Sequence, residues 1–416
     1  MAVFLHTLLA TLFVVQAAVL AKRGSLQFAV LFFACLYFIY FASAPLIFPG
    51  QMRPDLYDAL AVSTLFLFAA NLSLGEVILL SRRTTPDVRE RDEQVLDATL
   101  FAGKVTFWIA LTMVLGHMAI AGVPVLQTNA NLARHELGGS GYIKIFLTRA
   151  LPLATLMIAS VEWQRHGRLL TRRSSGYFLL LFVATFLQGF RIHLIYAVLY
   201  FISMRFILRR QLSLMTIGLV GLIAIAIFFI LSALRFETSD AGVLLSVFQH
   251  RVSFELLRTA GYAMEIARSE GFWHGQSILM DLQSALPGPG ISFGDYMLLF
   301  VNPQSAIVGL ASLTPSIIGE AYVNFGYLGA FVYGWLMVIM MVSAPGFMLR
   351  IRGLGLALAA IVPVTIVQSI EVGLGELLAS RLIPLGVFAV FAHLLYRWRL
   401  GRNTHAPHPR LARQAA

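Results

Sequence analysis

Long apolar runs recur along nearly the whole chain, and they constrain the fold more than any other feature. A run of about 18 residues or more can cross the hydrocarbon core of a bilayer as a helix, because that core is about 30 Å thick. The runs do not alternate as the strands of a membrane barrel do. Of the 416 residues, 58% are hydrophobic and only 12% are charged, a balance that a water-soluble chain of this length would not show. We therefore predict an all-α polytopic membrane protein.

Hydropathy predicts about eleven spans within a single transmembrane domain at residues 1–396. Clusters of lysine and arginine fall on every second connection, and a basic tail follows at 397–416. The positive-inside rule then places the N-terminus outside and the tail in the cytoplasm, which agrees with an odd number of spans. The predicted spans are 2–21, 27–48, 58–80, 99–122, 145–162, 176–190, 192–208, 212–233, 316–343, 354–371 and 380–396.

The charge and cysteine content argue against two other classes of protein. The net charge of +11 comes from short basic clusters between apolar runs, which membrane topology requires, so we expect no nucleic-acid partner. The single cysteine, Cys35, lies inside an apolar run. This excludes a disulfide framework and a cysteine-based metal site.

A large outer loop at 234–315 is far longer than the connections of a helix bundle usually are. A predicted helix at about 243–268 places Arg251, Glu255 and Arg258 on one arc, and an apolar stripe lies opposite. The polar arc is either a salt-bridged surface that anchors the loop on lipid headgroups or a cationic cradle for a diphosphate lipid, since a guanidinium fork matches phosphate oxygens. The sequence leaves both interpretations open. The stripe consists of Val252, Leu256, Ala260 and Ala263.

Arg191 lies between two apolar runs that have almost no loop between them, so it must sit at or just inside the outer interface. It either extends to the headgroups or points into the bundle, where a buried charge needs a partner. We expect nearby His193 to be structural. Lys104 and Arg149 fall within or near spans and should face protein or water.

A late span begins at Pro315-Ser316, and Glu320 and Asn324 follow one helical turn apart near the outer surface. A carboxylate at this depth needs a partner, and the candidates are Arg191 and the loop arginines. Glu320 is therefore either a general base or a structural ion-pair partner. Around the last outer turn, Glu376 and Arg381 either form a local pair at a helix start or, with Glu371, complete the site.

The stretch around this late span resembles the Wzy-type O-antigen or oligosaccharide repeat-unit polymerases of bacterial envelopes. The residues that carry the resemblance are Pro315-Ser316, Gly319-Glu320 and the run from Tyr322 to Gly329, after a large outer loop. The resemblance implies a GT-C-like membrane glycosyltransferase related to O-antigen ligases. It also implies a place in the bacterial inner membrane, where the orientation given by the positive-inside rule makes the N-terminus periplasmic and the C-terminus cytoplasmic.

The same resemblance implies substrates and site residues. The substrates are oligosaccharide units on undecaprenyl diphosphate in the lipid bilayer, and neither a cofactor nor a catalytic metal is needed. The matching outer arginines, Arg191, Arg251 and Arg258, would bind the carrier diphosphate. Whether a chain-length regulator binds stays open.

For the acceptor, Glu320 or His250 would remove the hydroxyl proton, and Asn324 and Tyr322 would contact substrate. O-antigen ligases use a histidine in the large loop, where this chain offers both His250 and His274, so a ligase that transfers glycan to lipid A core is one alternative. A flippase or transporter of the lipid-linked sugar is the other. Transporters often carry internal repeats, and the two halves of this chain show no convincing repeat.

Overall fold

A computed structural model describes residues 2–23, 28–47, 52, 54–80, 92–123, 140–188, 191–209, 240, 242–246, 255–286, 290–304 and 313–404. All regular secondary structure in these ranges is helical. The helices are α1 (Ala2–Arg23), α2 (Phe28–Tyr37), α3 (Ser43–Ile47), α4 (Pro54–Leu80), α5 (Glu93–Ala121), α6 (Ser140–Ile145), α7 (Leu151–His166), α8 (Arg172–Leu187), α9 (Arg191–Arg209), α10 (Glu255–Glu270), α11 (Gln276–Ser284), α12 (Phe293–Val301), α13 (Ser316–Met348), α14 (Gly355–Val367), α15 (Ser369–Glu376) and α16 (Ile383–Thr404).

Among the described residues, six helical segments are long and apolar enough to cross a membrane, and three shorter apolar helices accompany them. The chain is therefore a polytopic membrane protein, as the sequence predicts. The predicted span at 176–190 corresponds to α8, which is not one of these nine segments, and the predicted span at 212–233 lies outside the described residues. The six are Ala2–Ala21, Leu56–Leu79, Glu93–Ala121, Tyr142–His166, Ser316–Met348 and Ser369–Arg402; the three are Ala29–Ala42, His193–Leu208 and Gly355–Val367.

The core is built around α13, which packs along α4 and also contacts α10, α14 and α15. Gly334 permits this closeness, because a Cβ there would lie 2.2 Å from the backbone oxygen of Phe66 on α4. Small residues at such crossings let helix backbones approach in lipid. α13 begins after Pro315, as the Pro315-Ser316 pair predicts.

The outer loop lies on this core through α10, the predicted amphipathic helix. Leu256, Ala260 and Ala263 are buried, and α10 packs against α13 and α4. Gly319 on α13 faces Ala260, and a Cβ there would be 3.0 Å from its Cα. The predicted apolar stripe is therefore confirmed for these three residues. Its fourth member, Val252, lies outside the described residues.

Within the described ranges, three π-helical turns interrupt the helices: π1 (Phe38–Ala42) follows α2, π2 (Phe146–Ala150) joins α6 to α7, and π3 (Leu377–Leu382) joins α15 to α16. A π turn inserts a residue into the helical ladder and re-aims the side chains around it, and it is frequent at functional sites. Three of the polar side chains described next, Tyr40, Arg149 and Arg381, come from these turns.

Candidate functional site

Arg149 is a buried cation in π2, with 3% of its surface exposed. Its guanidinium Nη1 donates to the Thr148 backbone oxygen at 3.3 Å and to the Tyr200 hydroxyl at 3.5 Å, both long contacts. The Nε–H has no acceptor among the described residues, and no described carboxylate forms an ion pair with Arg149. A buried charge is costly unless it is paired and hydrogen-bonded, so Arg149 retains unused capacity to bind an anion.

Arg381 is the second buried cation, and it comes from π3. One guanidinium nitrogen donates to the Gln368 side-chain oxygen, and Nη2 lies 3.4 Å from Oε1 of Glu376. Its Nε also lacks an acceptor among the residues that the structure describes. The predicted local pair of Glu376 and Arg381 is thus confirmed.

The two guanidinium groups lie close enough to repel each other electrostatically. A phenol and an amide connect them: the Gln368 side chain accepts from Arg381 and donates to the Tyr200 hydroxyl at 3.1 Å, and Tyr200 in turn contacts Arg149. We call Arg149, Arg381, Tyr200 and Gln368 the arginine cluster. Two neighbouring guanidinium groups, each with an Nε–H that lacks an acceptor among the described residues, are suited to bind a doubly charged oxyanion.

A small cavity of about 10 Å³ lies beside Arg149, between π2, α8 and α9. Polar side chains line part of it, and the Tyr196 hydroxyl is buried without a partner among the described residues. The volume of the cavity is that of about one water molecule, so a phosphate group beside the guanidinium would require the surrounding side chains to move. Its polar lining consists of Thr148, Arg149, Thr185, His193, Tyr196 and Tyr200.

Glu371 on α15 is a partly exposed carboxylate beside the arginine cluster. The Tyr40 hydroxyl of π1 donates to its Oε1 at 2.8 Å. Arg381, Glu376 and Glu255 lie within electrostatic range of it. Each of the three π turns therefore supplies one polar side chain to this region: Tyr40, Arg149 and Arg381.

Glu320 is fully buried, and its carboxylate accepts several hydrogen bonds at a break in α15. Gly373 has φ of +83°, which breaks the helix and frees the N–H groups that follow. The N–H of Leu374 and that of Gly375, at 3.0 Å from Oε1, donate to Glu320, and the Ser277 hydroxyl lies 3.4 Å away. Among the described residues, backbone N–H groups and Ser277 satisfy this carboxyl group, and exposed Arg258 is not one of its donors. The side chains of the other candidate partners, Arg191 and Arg251, lie outside the described residues.

Asp281 on α11 lies on the other side of Gly375, where a Cβ would be 2.6 Å from its Oδ2 and 2.8 Å from Oε1 of Glu320. Its Oδ1 accepts the Phe293 N–H at 2.8 Å. Burial is the main cause that raises the pKa of Asp281 to about 7. We call Glu320 and Asp281, with the backbone between them, the carboxyl cluster. It fastens the outer loop to the broken helix.

Asn324, predicted to contact substrate, is buried one turn along α13 from Glu320. Its amide donates to the Ser277 hydroxyl at 2.6 Å, and its oxygen accepts the Gly275 N–H at 3.0 Å. Tyr322 is 7% exposed and stacks edge-on against Phe272 and Tyr327. Asn324 therefore joins α13 to the start of α11.

The structure describes the three predicted diphosphate-binding arginines to different extents. Arg258 is exposed on α10, and Arg191 begins α9. Arg251 and His250, like the side chain of Arg191, lie outside the described residues. Sequence reasoning placed Arg149 in protein or water and Arg381 in a local pair, but it did not bring the two together. The two residues are 232 positions apart, so no local pattern predicts that they lie together. The signal that the sequence offers is a charged residue inside each of two apolar runs.

A family model described as "Putative O-antigen polymerase" matches residues 3–380, which is most of the chain. No curated protein matches the chain. No solved structure matches it. The matched range includes α15 and most of π3, and it contains both clusters except for Arg381.

Proposed function

The chain belongs to the O-antigen polymerase family, and from that premise we propose that it joins undecaprenyl-diphosphate-linked oligosaccharide units at the outer face of the bacterial inner membrane. The growing glycan would move from its carrier to the end of a new unit. Carrier diphosphate is the leaving group, and no metal or cofactor takes part. The predicted eleven spans, the periplasmic N-terminus, the cytoplasmic tail and the GT-C-like arrangement belong to the same proposal.

One observation supports this chemistry most strongly: Arg149 is buried and has no carboxylate partner among the described residues. A polymerase needs a cation that is free in the resting protein and pairs with the diphosphate when the donor binds. Arg381 supplies a second fork close by. Both groups lie in surroundings that exclude most water, where their effect on charge developing at the leaving oxygen is stronger than in bulk solvent.

The outer arginines stay in this proposal with a different task from the arginine cluster. Arg258 is exposed and, with Arg191 and Arg251, would attract the diphosphate headgroup from the loop side. Arg149 and Arg381 would then hold it during glycosidic bond cleavage. His250 remains a proposed acceptor-side residue.

Purified protein in detergent, supplied with lipid-linked units from a strain that lacks the gene, tests the proposal. We expect a ladder of elongated products without added metal. Detergent removes the two membrane compartments, so a flippase or transporter would give no ladder, and a ligase would need lipid A core before any glycan moved.

Arg381→Lys is the informative variant in this assay, because charge survives while the two-pronged contact is lost. Removal of one preorganised donor to a developing oxyanion typically lowers the rate by about 10²–10³-fold. Arg352→Lys is the matched control, since Arg352 is exposed and pairs with Asp92 at 3.1 Å on another part of the molecule. Equal rates for both variants would contradict the proposed role of Arg381.

A further inference from the structure

The arginine cluster accounts for the leaving group, but the proton of the acceptor hydroxyl needs a base, and the proposed His250 lies outside the described residues. Transfer requires that a sugar hydroxyl attack the anomeric carbon, that the bond from this carbon to the diphosphate oxygen break, and that the hydroxyl proton go to a base. Five carboxyl groups of the described chain lie on or near α15: Glu255, Asp281, Glu320, Glu371 and Glu376. Asp281 is only 3% exposed and belongs to the carboxyl cluster with Glu320. Hydrogen bonds distinguish the other groups.

Glu320 does not fit the role of base. Its side chain has no exposed surface, and both carboxylate oxygens accept backbone N–H groups from 374 and 375. A proton arriving there would displace these hydrogen bonds and release the break at Gly373. Glu376 is already occupied by its ion pair with Arg381.

Glu371 does fit. It is partly exposed, one oxygen accepts the Tyr40 hydroxyl at 2.8 Å, and the other, Oε2, receives no hydrogen bond from a described side chain. Tyr40 comes from π1 and fixes the rotamer of the carboxylate. A base needs this combination of one oxygen held in place and one open to a reacting hydroxyl.

The charges around Glu371 also suit the reaction. The groups that face it are Tyr40 from π1, Arg381 from π3, Glu255 from α10, Glu376 from α15 and Tyr196 from α9. Arg381 is the cation of this set and belongs to the arginine cluster. A hydroxyl beside Glu371 would therefore lie near a donor diphosphate held by Arg381.

We infer that Glu371 is the general base of the transfer and that Tyr40 is its positioning residue. This inference rests on the proposed polymerase function. The acceptor hydroxyl gives its proton to Oε2 of Glu371 as its oxygen bonds to the anomeric carbon. The electron pair of the broken bond leaves with the diphosphate.

Glu371→Gln tests the assignment, because the amide keeps the size and still accepts from Tyr40 but cannot take a proton. With purified protein and lipid-linked units, we expect kcat to fall by about 10²–10⁴-fold. The affinity for the lipid-linked unit, measured in nanodiscs, should stay within about threefold of wild type. The wild-type rate should rise with pH as a carboxyl loses its proton, and the variant should lose that rise.

Tyr40→Phe separates positioning from catalysis. Its kcat should fall about tenfold or less, and the rise of rate with pH should remain, because the base is still present. The matched control is Glu270→Gln on α10, where an exposed carboxylate also accepts a tyrosine hydroxyl, that of Tyr296. This control should keep the wild-type rate and pH profile.

Three results would overturn the inference. A Glu371→Gln enzyme with wild-type kcat and an unchanged pH profile would exclude Glu371 as the base. Equal losses of rate and of affinity for the lipid-linked unit would assign it to binding alone. A wild-type protein that forms no ladder would remove the polymerase function, and the inference with it, and this outcome is distinct because it does not involve the variant.

Discussion

The carboxyl cluster and the arginine cluster both contain buried ionisable groups, but they use their hydrogen-bonding capacity differently. Glu320 is fully buried and accepts N–H groups of 374 and 375. Arg149 is almost as deeply buried, yet it makes two long contacts and its Nε has no acceptor among the described residues. A satisfied buried charge stabilises a fold, whereas an unsatisfied one lowers stability and persists for another reason. The comparison assigns structure to Glu320 and ligand binding to Arg149. Asp281 stands between these cases, because its Oδ1 accepts a backbone N–H while its buried Oδ2 has no partner among the described residues.

Replacement of Arg149 by Met should cause the largest loss of activity of the variants considered. Stability should stay the same or increase. Removal of a diphosphate contact should lower the elongation rate by about 10²–10³-fold. The thermal midpoint in detergent should stay the same or rise, because an unpaired buried charge is removed and the apolar side chain fills its place. A lower midpoint with a matching loss of activity would instead make Arg149 structural.

Glu320→Ala should show the reverse pattern: its main effect should be a loss of stability, and any loss of activity should follow from unfolding. The N–H groups of Leu374 and Gly375 would be left buried and unpaired, at about 1–3 kcal/mol each. The thermal midpoint should therefore fall well below that of wild type, and activity should fall only in proportion to unfolded protein. A variant as stable as wild type but inactive would restore Glu320 as the candidate base.

Asp281→Asn should have a smaller effect, visible in the pH dependence of stability. The pKa of Asp281 rises from its ordinary 3.8 to about 7, mainly through burial. The folded state therefore holds this proton more tightly than the unfolded state, so stability falls as pH rises from about 4 to about 7. Asn cannot titrate, and the midpoint of the variant should vary less across that window. An unchanged slope would show that Asp281 is not the responsible group.

Arg258→Ala should have the smallest effect, because the side chain is exposed and screened by salt. We expect KM to rise a few-fold at low ionic strength and to return towards wild type at high salt, with kcat unchanged. A large loss of kcat would show that Arg258 takes part in the reaction itself and does not only attract the substrate.

Local periodicity predicted part of this molecule well. The buried stripe of α10 and the start of α13 after Pro315 follow from spacing and helix-capping preferences that act within a few residues. Glu376 and Arg381 are five positions apart, so their ion pair could also be predicted from local spacing. Each of these features depends on neighbours in sequence.

The candidate site was only partly predictable because its contacts join distant segments. Tyr40 meets Glu371 across 331 positions. The π turns that aim Arg149 and Arg381 inward carry no sequence signature that we recognised, and the partner of Glu320 depended on the break at Gly373 rather than on a cation. Sequence alone therefore identified charged residues in apolar runs but not which of them lie together.

The central claim is that the arginine cluster, in which Arg149 has no carboxylate partner among the described residues, binds the carrier diphosphate. Binding of undecaprenyl diphosphate to wild-type protein and to Arg149→Met in nanodiscs, with undecaprenyl monophosphate as the comparison ligand, tests it most directly. The account predicts that wild type prefers the diphosphate and that the variant loses at least about tenfold in affinity for it, with no drop in thermal midpoint. Equal affinity of the two proteins for the diphosphate would contradict it.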